Sequence, residues 1–241
     1  KPGKLFRDVE WRTYLAILAG ATLLVLIAGL VHGDFDRYGT SEVAIEGPGS
    51  ADGPYPVILG LRCSLFQVVS IMTTTGFCVN EFEKWNALSC GVLLVLMFVG
   101  GCAGSTGGGI KVIRILTLLK MSFTEMKYLM HPQGVFGVFV NGKYLKKNIV
   151  YDIAALVFLY FVVFFVVVLI VASGGYDVLT SLSGTIACLG NIGPGFGKVG
   201  PVLNYGLFPG YIKWVLSITM LIGRLEVYTV LILLTPAFWK K

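Results

Sequence analysis

The sequence is poor in charge. Only 13% of its 241 residues are Asp, Glu, Lys or Arg, against about 25% in an ordinary soluble domain. Hydrophobic residues make up 56% and the mean hydropathy is +0.81, a composition suited to lipid rather than water. Histidine is scarce as well: the two present, His32 and His131, fall in expected loops. No Ser/His/Asp or metal-ligand constellation accompanies them, so an enzyme is not indicated. The five cysteines, Cys63, Cys78, Cys90, Cys102 and Cys188, show no CxxC spacing; that argues for small buried apolar residues or unpaired thiols rather than a metal site. There is no initiator methionine, and the first apolar run is too long for a signal peptide and lacks a small-residue cleavage pattern. The expectation is a chain that starts inside a longer protein.

Two apolar runs are long enough to cross a bilayer outright, Tyr14 to Val31 and Ile149 to Ala172, each near the roughly 20 residues that a hydrocarbon core requires. A third runs from Tyr211 to Trp239, interrupted by Arg224 and Glu226. The fourth is interrupted: Ala87 to Val99 is apolar but short, a glycine-rich stretch follows, and Ile110 to Met121 resumes. The expectation is one span with a gap in it. Trp85, Trp214 and Trp239 sit near expected interfaces and read as anchors.

The net charge of +6 is distributed as orientation rules predict. Lys1, Lys4, Arg7, Arg12, the connection carrying Lys111, Arg114, Lys120, Lys127, Lys143, Lys146 and Lys147, and finally Lys240 and Lys241 belong on the cytoplasmic side. The acidic connections, with Asp34, Asp36, Glu42, Glu46, Asp52, Glu81, Glu83 and Asp177, belong outside. Both ends of the chain are then cytoplasmic in a multi-pass protein. The basic surplus is accounted for by this asymmetry, with no nucleic-acid partner.

The outward connections hold segments too short to span. Leu59 to Thr73 is an apolar helix candidate of roughly 20 Å, and Tyr176 to Leu189 is another. Each ends in a small tract, TTTGF at Thr73–Phe77 and GNIGPG at Gly190–Gly195. The chain therefore reads span, short helix, glycine-containing tract, span, twice over: one repeat over 1–148 and a second over 149–241. Irregular backbone at membrane depth is tolerated only where protein buries it or it lines a water-filled path. A potassium ion that sheds its water needs a ring of oxygen dipoles, which backbone carbonyls supply where glycine allows the turn. Thr74, Thr75, Gly76 and Phe77 form one candidate filter edge, and Asn191, Ile192, Gly193 and Pro194 the other. A plain Gly/Pro turn explains either tract alone equally well; their matching positions favour the filter.

The combination of TTTGF, LMFVGGCAGSTGGGIKVIR, ACLGNIGPG and MLIGRLEVYTVLILLTPAFW, over about Asp8 to Trp239, resembles the TrkH-like potassium transporters of the Trk/Ktr/HKT superfamily. Members carry four helix, pore-helix, helix repeats around a single pore, and this chain resembles the third and fourth. The resemblance implies an all-α membrane protein of the bacterial inner membrane. It also implies potassium as substrate with no covalent cofactor, N-terminal repeats of the same protein, a homodimer, membrane lipid as surroundings, and a cytosolic TrkA-like nucleotide-binding regulatory subunit.

The resemblance further implies that the glycine stretch is an intramembrane gating loop obstructing the pore below the filter. Gly100, Gly101, Gly104, Ser105, Thr106, Gly107, Gly108 and Gly109 fall in it. Each glycine costs a helix about 1 kcal/mol relative to alanine, so a continuous helix is strongly opposed, and Ser105 and Thr106 are placed to satisfy backbone groups in the gap. A phosphate-cradling loop is the other reading of Gly, Ser, Thr and Lys together. GxxxxGK[ST] is not met, however, because Ile110 separates Gly109 from Lys111 and Val112 follows. Arg224, at mid-span, matches the family arginine beneath the filter; its charge raises a barrier to cations and anchors the loop, unless helix packing alone satisfies it. A sodium-permeable relative and a non-conducting scaffold or accessory subunit are the rival functions.

Overall fold

The computed structural model describes residues 8–35, 56–131, 133–134, 136–225, 227–234 and 236–239. The acidic stretch from Asp36 to Tyr55, the terminal residues Lys1, Lys4, Arg7, Lys240 and Lys241, and Glu226 lie outside these. In order, the helices are α1 Val9–His32, α2 Pro56–Met72, α3 Ala87–Leu96, α4 Val112–Met130, α5 Lys147–Ala172, α6 Val178–Leu189, α7 Gly210–Arg224, α8 Val227–Leu234 and α9 Pro236–Trp239. A small hairpin, β1 Phe139–Val140 and β2 Lys143–Tyr144, links α4 to α5. The chain is thus all-α in class, with the hairpin as its one sheet among the described residues.

Helices α1 and α5, at 24 and 26 residues, are long and apolar enough to cross a bilayer. Asp8 caps the first by accepting from the Glu10 amide at 2.9 Å, and Gly33 closes it in the left-handed conformation. The His32 expected in a loop is instead the last residue of α1, its Nδ1 3.0 Å from the Ala28 carbonyl. On α5 the buried residues Leu156, Tyr160, Phe164, Val167 and Val171 form one stripe, spaced three or four apart as one helix face requires. Phe158, Phe165 and Leu169 on the remaining surface are exposed. The aromatic-rich run therefore serves both packing and the apolar surround.

The shorter helices lie inside. Every residue of α6 from Thr180 is buried except Leu182, which fits a helix of roughly 18 Å at 1.5 Å per residue enclosed by protein on all sides. Asp177 caps it, accepting from the Thr180 amide at 3.0 Å; these hydrogen bonds from Thr180 hold its carboxyl below the usual range. α2 begins earlier than expected, at Pro56, and ends at Met72.

Two expectations are corrected here. Trp85 is no interface anchor: it is buried at 5% exposure against the edge of Phe35, whereas Trp214 is 74% exposed. The run from Tyr211 to Trp239 is not one continuous helix either. α7 stops at Arg224, and Leu225 leaves helical geometry with ψ 3°. The break follows Arg224, a charge within the apolar run, and α8 beyond it packs against α5.

Candidate functional site

The two tracts leave their helices by the same backbone route. After α2, the Thr74 amide bonds to the Ile71 carbonyl at 3.1 Å and the Thr75 amide to Ser70 at 2.9 Å. After α6, Asn191 bonds to Cys188 at 3.1 Å and Ile192 to Ala187 at 2.9 Å. Both are an i−3 bond followed by an i−5 bond. Positive φ recurs at matching places too: Thr74 at 55° and Asn191 at 54°, then Gly76 at 77° and Gly193 at 113°. Thr75 and Ile192 between them keep negative φ.

The tracts also meet. A Cβ on Gly76 would overlap the Ile192 carbonyl oxygen and crowd Pro194 Cδ at 3.1 Å, so glycine is required there by proximity as well as by φ. Side chains hold the exits: Ser70 Oγ donates to the Phe77 carbonyl at 2.6 Å, and the Tyr205 hydroxyl donates to the Gly193 carbonyl at 2.8 Å. A carbonyl oxygen has two lone pairs, so the Tyr205 bond orients that oxygen and leaves one lone pair over. Asn191 Nδ2 donates to the Met220 carbonyl on α7 at 3.1 Å. These partners were not apparent from sequence, since Tyr205 and Met220 lie outside either tract.

The glycine stretch is a closed excursion between α3 and α4. Its neck is a parallel bridge of Val99 and Ile110, with the Gly100 amide on the Ile110 carbonyl at 2.9 Å and the Ile110 amide on Phe98 at 3.0 Å. The Val112 amide reaches Gly101 at 3.3 Å. Gly104 and Gly109 take positive φ, 84° and 75°. The far side of the excursion lies against both tracts: a Cβ on Gly107 would sit 3.0 Å from Thr74 Oγ1, and one on Gly108 would overlap the Gly190 carbonyl. Gly100 faces Gly108 across the loop in the same way. The predicted filter and loop residues are therefore one contiguous assembly.

What holds the loop differs from expectation. Lys111, 7% exposed, sends its ammonium to the Ser105 carbonyl at 2.8 Å, Ser105 Oγ at 3.1 Å and the Gly107 carbonyl at 2.7 Å. The principal donor is thus a lysine that the sequence marks only as one basic residue among several, and Ser105 accepts. Glu10 at the start of α1 takes the Ala103 amide. Arg224 and the loop share a cavity of about 310 Å³, lined by Thr106, Gly109, Lys111, Arg114, Tyr160 and Arg224 among others. Arg224 faces the loop across this shared cavity, while the hydrogen bonds to Ser105 and Gly107 come from Lys111. The neighbouring Glu226 lies outside the described residues.

Comparison with known proteins gives the chain a family. A family profile described as "TrkH: Cation transport protein" matches residues 4–241. The Trk system potassium uptake protein TrkH of Escherichia coli K12 is 39% identical over 236 residues, covering 98% of this chain and 44% of that protein. Its counterpart in Vibrio parahaemolyticus is 45% identical over 177 residues, 73% of this chain and 36% of that one. The crystal structure of the potassium transporter TrkH from Vibrio parahaemolyticus superposes with a TM-score of 0.84 at 38% identity, over 99% of this chain and 47% of the other. The chain spans less than half the length of the curated relatives it matches. With the family profile covering nearly its whole length and the solved relative sharing its fold, the chain belongs to the TrkH family of cation transport proteins.

Proposed function

We propose that this chain supplies two of the four walls of a potassium uptake pathway in the bacterial inner membrane, with N-terminal repeats of the same protein supplying the others. The family is one of transporters rather than enzymes, and relatives are named potassium uptake proteins. The observation that carries the reading is the shared backbone route of Thr73–Phe77 and Gly190–Pro194, with matching positive φ and direct contact between Gly76 and Ile192. Positive φ alternating with negative φ turns neighbouring carbonyl oxygens toward one side of a tract, and such oxygens replace the hydration shell of a dehydrated ion. Glycine at both Gly76 and Gly193 favours potassium over a sodium-permeable pathway.

The loop Gly100–Gly109 lies against Thr74 and Gly190 and closes the path in this state. Arg224 adds a charge in the cavity it shares with the loop. A monovalent cation passing at an assumed separation of about 8 Å meets a barrier of about 2 kcal/mol at an effective dielectric near 20. Opening moves the loop off the tracts. Both ends of the chain face the cytoplasm in this reading, the protein is a homodimer, and the basic connection from Lys120 to Lys147 offers docking surface to a TrkA-like nucleotide-binding ring.

The test is flux. Potassium and sodium uptake is measured in liposomes holding this chain alone and the chain joined to its N-terminal repeats, each beside a Gly193→Ser variant. Potassium-selective uptake that the variant loses supports the filter. Equal uptake in both, from folded protein, removes it, and no uptake from either folded form leaves a non-conducting scaffold.

A further inference from the structure

Each candidate filter tract is pinned to its own short helix where it leaves the filter. On the first side Ser70 of α2 holds the Phe77 carbonyl and Asn80 Nδ2 lies 3.1 Å from Cys63 Sγ. On the second, Ser183 of α6 donates to the Phe196 carbonyl at 3.0 Å and accepts from the Phe196 amide at 2.9 Å, while Thr180 Oγ1 accepts from the Lys198 amide at 3.0 Å. These bonds fix each exit strand to its own repeat. They do nothing for the spacing between the two.

That spacing is set by two adjacent contacts across the repeats. The buried rings of Phe82 and Phe196 meet edge to face with centroids 5.1 Å apart. At the next residue of each strand, Glu83 Oε1 accepts the Gly197 amide at 2.7 Å, 114 positions away in sequence. The other carboxylate oxygen lies so near Gly200 that a Cβ there would overlap it. A carboxylate accepting a backbone amide forms a short bond about twice as strong as a neutral one. Its backbone partner, Gly197, is on the strand that leaves the second tract, four residues after Gly193; Glu83 itself is seven after Gly76.

We propose that Glu83 is a positioning residue that sets the distance between the two tracts and thereby the discrimination among monovalent cations. The proposal rests on the filter reading of those tracts. A carbonyl ring selects by the number, field and spacing of its oxygens, and the tracts touch backbone to backbone at Gly76 and Ile192. Releasing the strap lets the strands separate there without removing a filter oxygen.

The experiment compares potassium-to-sodium flux ratios of the full-length transporter in liposomes, for wild type, Glu83→Ala, Glu83→Gln, Gly200→Ala, the Glu83→Ala and Gly200→Ala double variant and Gly193→Ser, with thermal midpoints measured alongside. Loss of the charge-assisted bond lowers the ratio about tenfold in Glu83→Ala. Gln keeps an acceptor but no charge and gives an intermediate fall. Gly200→Ala, at an ordinary φ of −61°, displaces the carboxylate sterically; it lowers the ratio as Glu83→Ala does and adds nothing in that background. A merely structural residue would lower the midpoint and leave the ratio alone. Ratios unchanged in Glu83→Ala and Gly200→Ala, where Gly193→Ser still shifts the ratio, overturn the positioning role and leave the filter intact. A ratio that also ignores Gly193→Ser overturns the filter reading, and this proposal with it. If Glu83→Ala does not fold, Glu83→Gln and Gly200→Ala decide by the same ratio.

Discussion

The carboxylate of Glu10, in the first turn of α1, accepts a hydrogen bond of 2.6 Å from the backbone amide of Ala103, 93 residues away in the glycine loop. The start of one long helix thereby holds the side of an excursion in another. The same helix end is tied to the β1–β2 hairpin, where Asn141 donates to Asp8 at 3.0 Å and accepts from the Val9 amide at 2.8 Å. Loop, helix end and hairpin form one connected piece.

Substituting Glu10 by alanine removes a bond to a charged acceptor worth about 1.5–3 kcal/mol, so the tethered loop loses about tenfold or more in population. The expected outcome is raised cation leak in liposomes without any regulatory protein. Faster labelling of Cys102 by a thiol reagent accompanies it, in a chain whose other cysteines are replaced. Unchanged leak and labelling would reduce Glu10 to a helix-start residue.

Lys111→Met keeps the length of the side chain and deletes three donor contacts. The carbonyls of Ser105 and Gly107 are left facing an apolar group, and roughly 3 kcal/mol of stabilisation is lost. A drop in the thermal midpoint in detergent, with Cys102 labelling faster than in the Glu10 variant, is the expected result. Equal midpoints would mean that the loop finds other donors.

Gly76→Ala and Gly193→Ala separate two demands on glycine. At Gly193 the surroundings are open, so alanine there suffers only the backbone strain of φ 113°, about 1–3 kcal/mol. At Gly76 the same substitution also drives a Cβ into the Ile192 carbonyl. The Gly193 variant should fold with altered potassium-to-sodium flux ratio, and the Gly76 variant should lose folded yield as well. Similar yields for both would contradict the close approach of the tracts.

Arg224→Ala removes the charge from the cavity behind the loop. With a barrier of about 2 kcal/mol absent, leak through the closed state rises about thirtyfold, and Arg224→Lys stays near wild type. An alanine variant as tight as wild type would assign closure to the loop alone.

The apolar runs announced α1 and α5, and six glycines between two half-length apolar runs announced the gap between α3 and α4. Composition decides these features locally, which is why they are legible. Glu10, Lys111 and Glu83 were not legible as structural ties because their partners are backbone groups at Ala103, at Ser105 and Gly107, and at Gly197. A backbone amide or carbonyl leaves no residue-type trace. The hairpin was within reach: Asn141–Gly142, at φ 51° and 73°, is the Asn-Gly pair that favours a two-residue turn. The end of α7 at Arg224 and the burial of Trp85 were missed because hydropathy registers neither a local helix end nor a partner such as Phe35.

The paired backbone at Val99 and Ile110 splices α3 to α4 as though the ten residues between them were absent. The enclosed segment is a cassette: it can shift as a unit while the two half-helices keep their alignment. The splice itself has no such latitude, since parting Val99 from Ile110 would free the half-helices to slide past each other. Motion in this part of the chain therefore belongs inside the ring, whose glycines are fixed by Thr74 and Gly190, while the two residues that clasp it hold the frame.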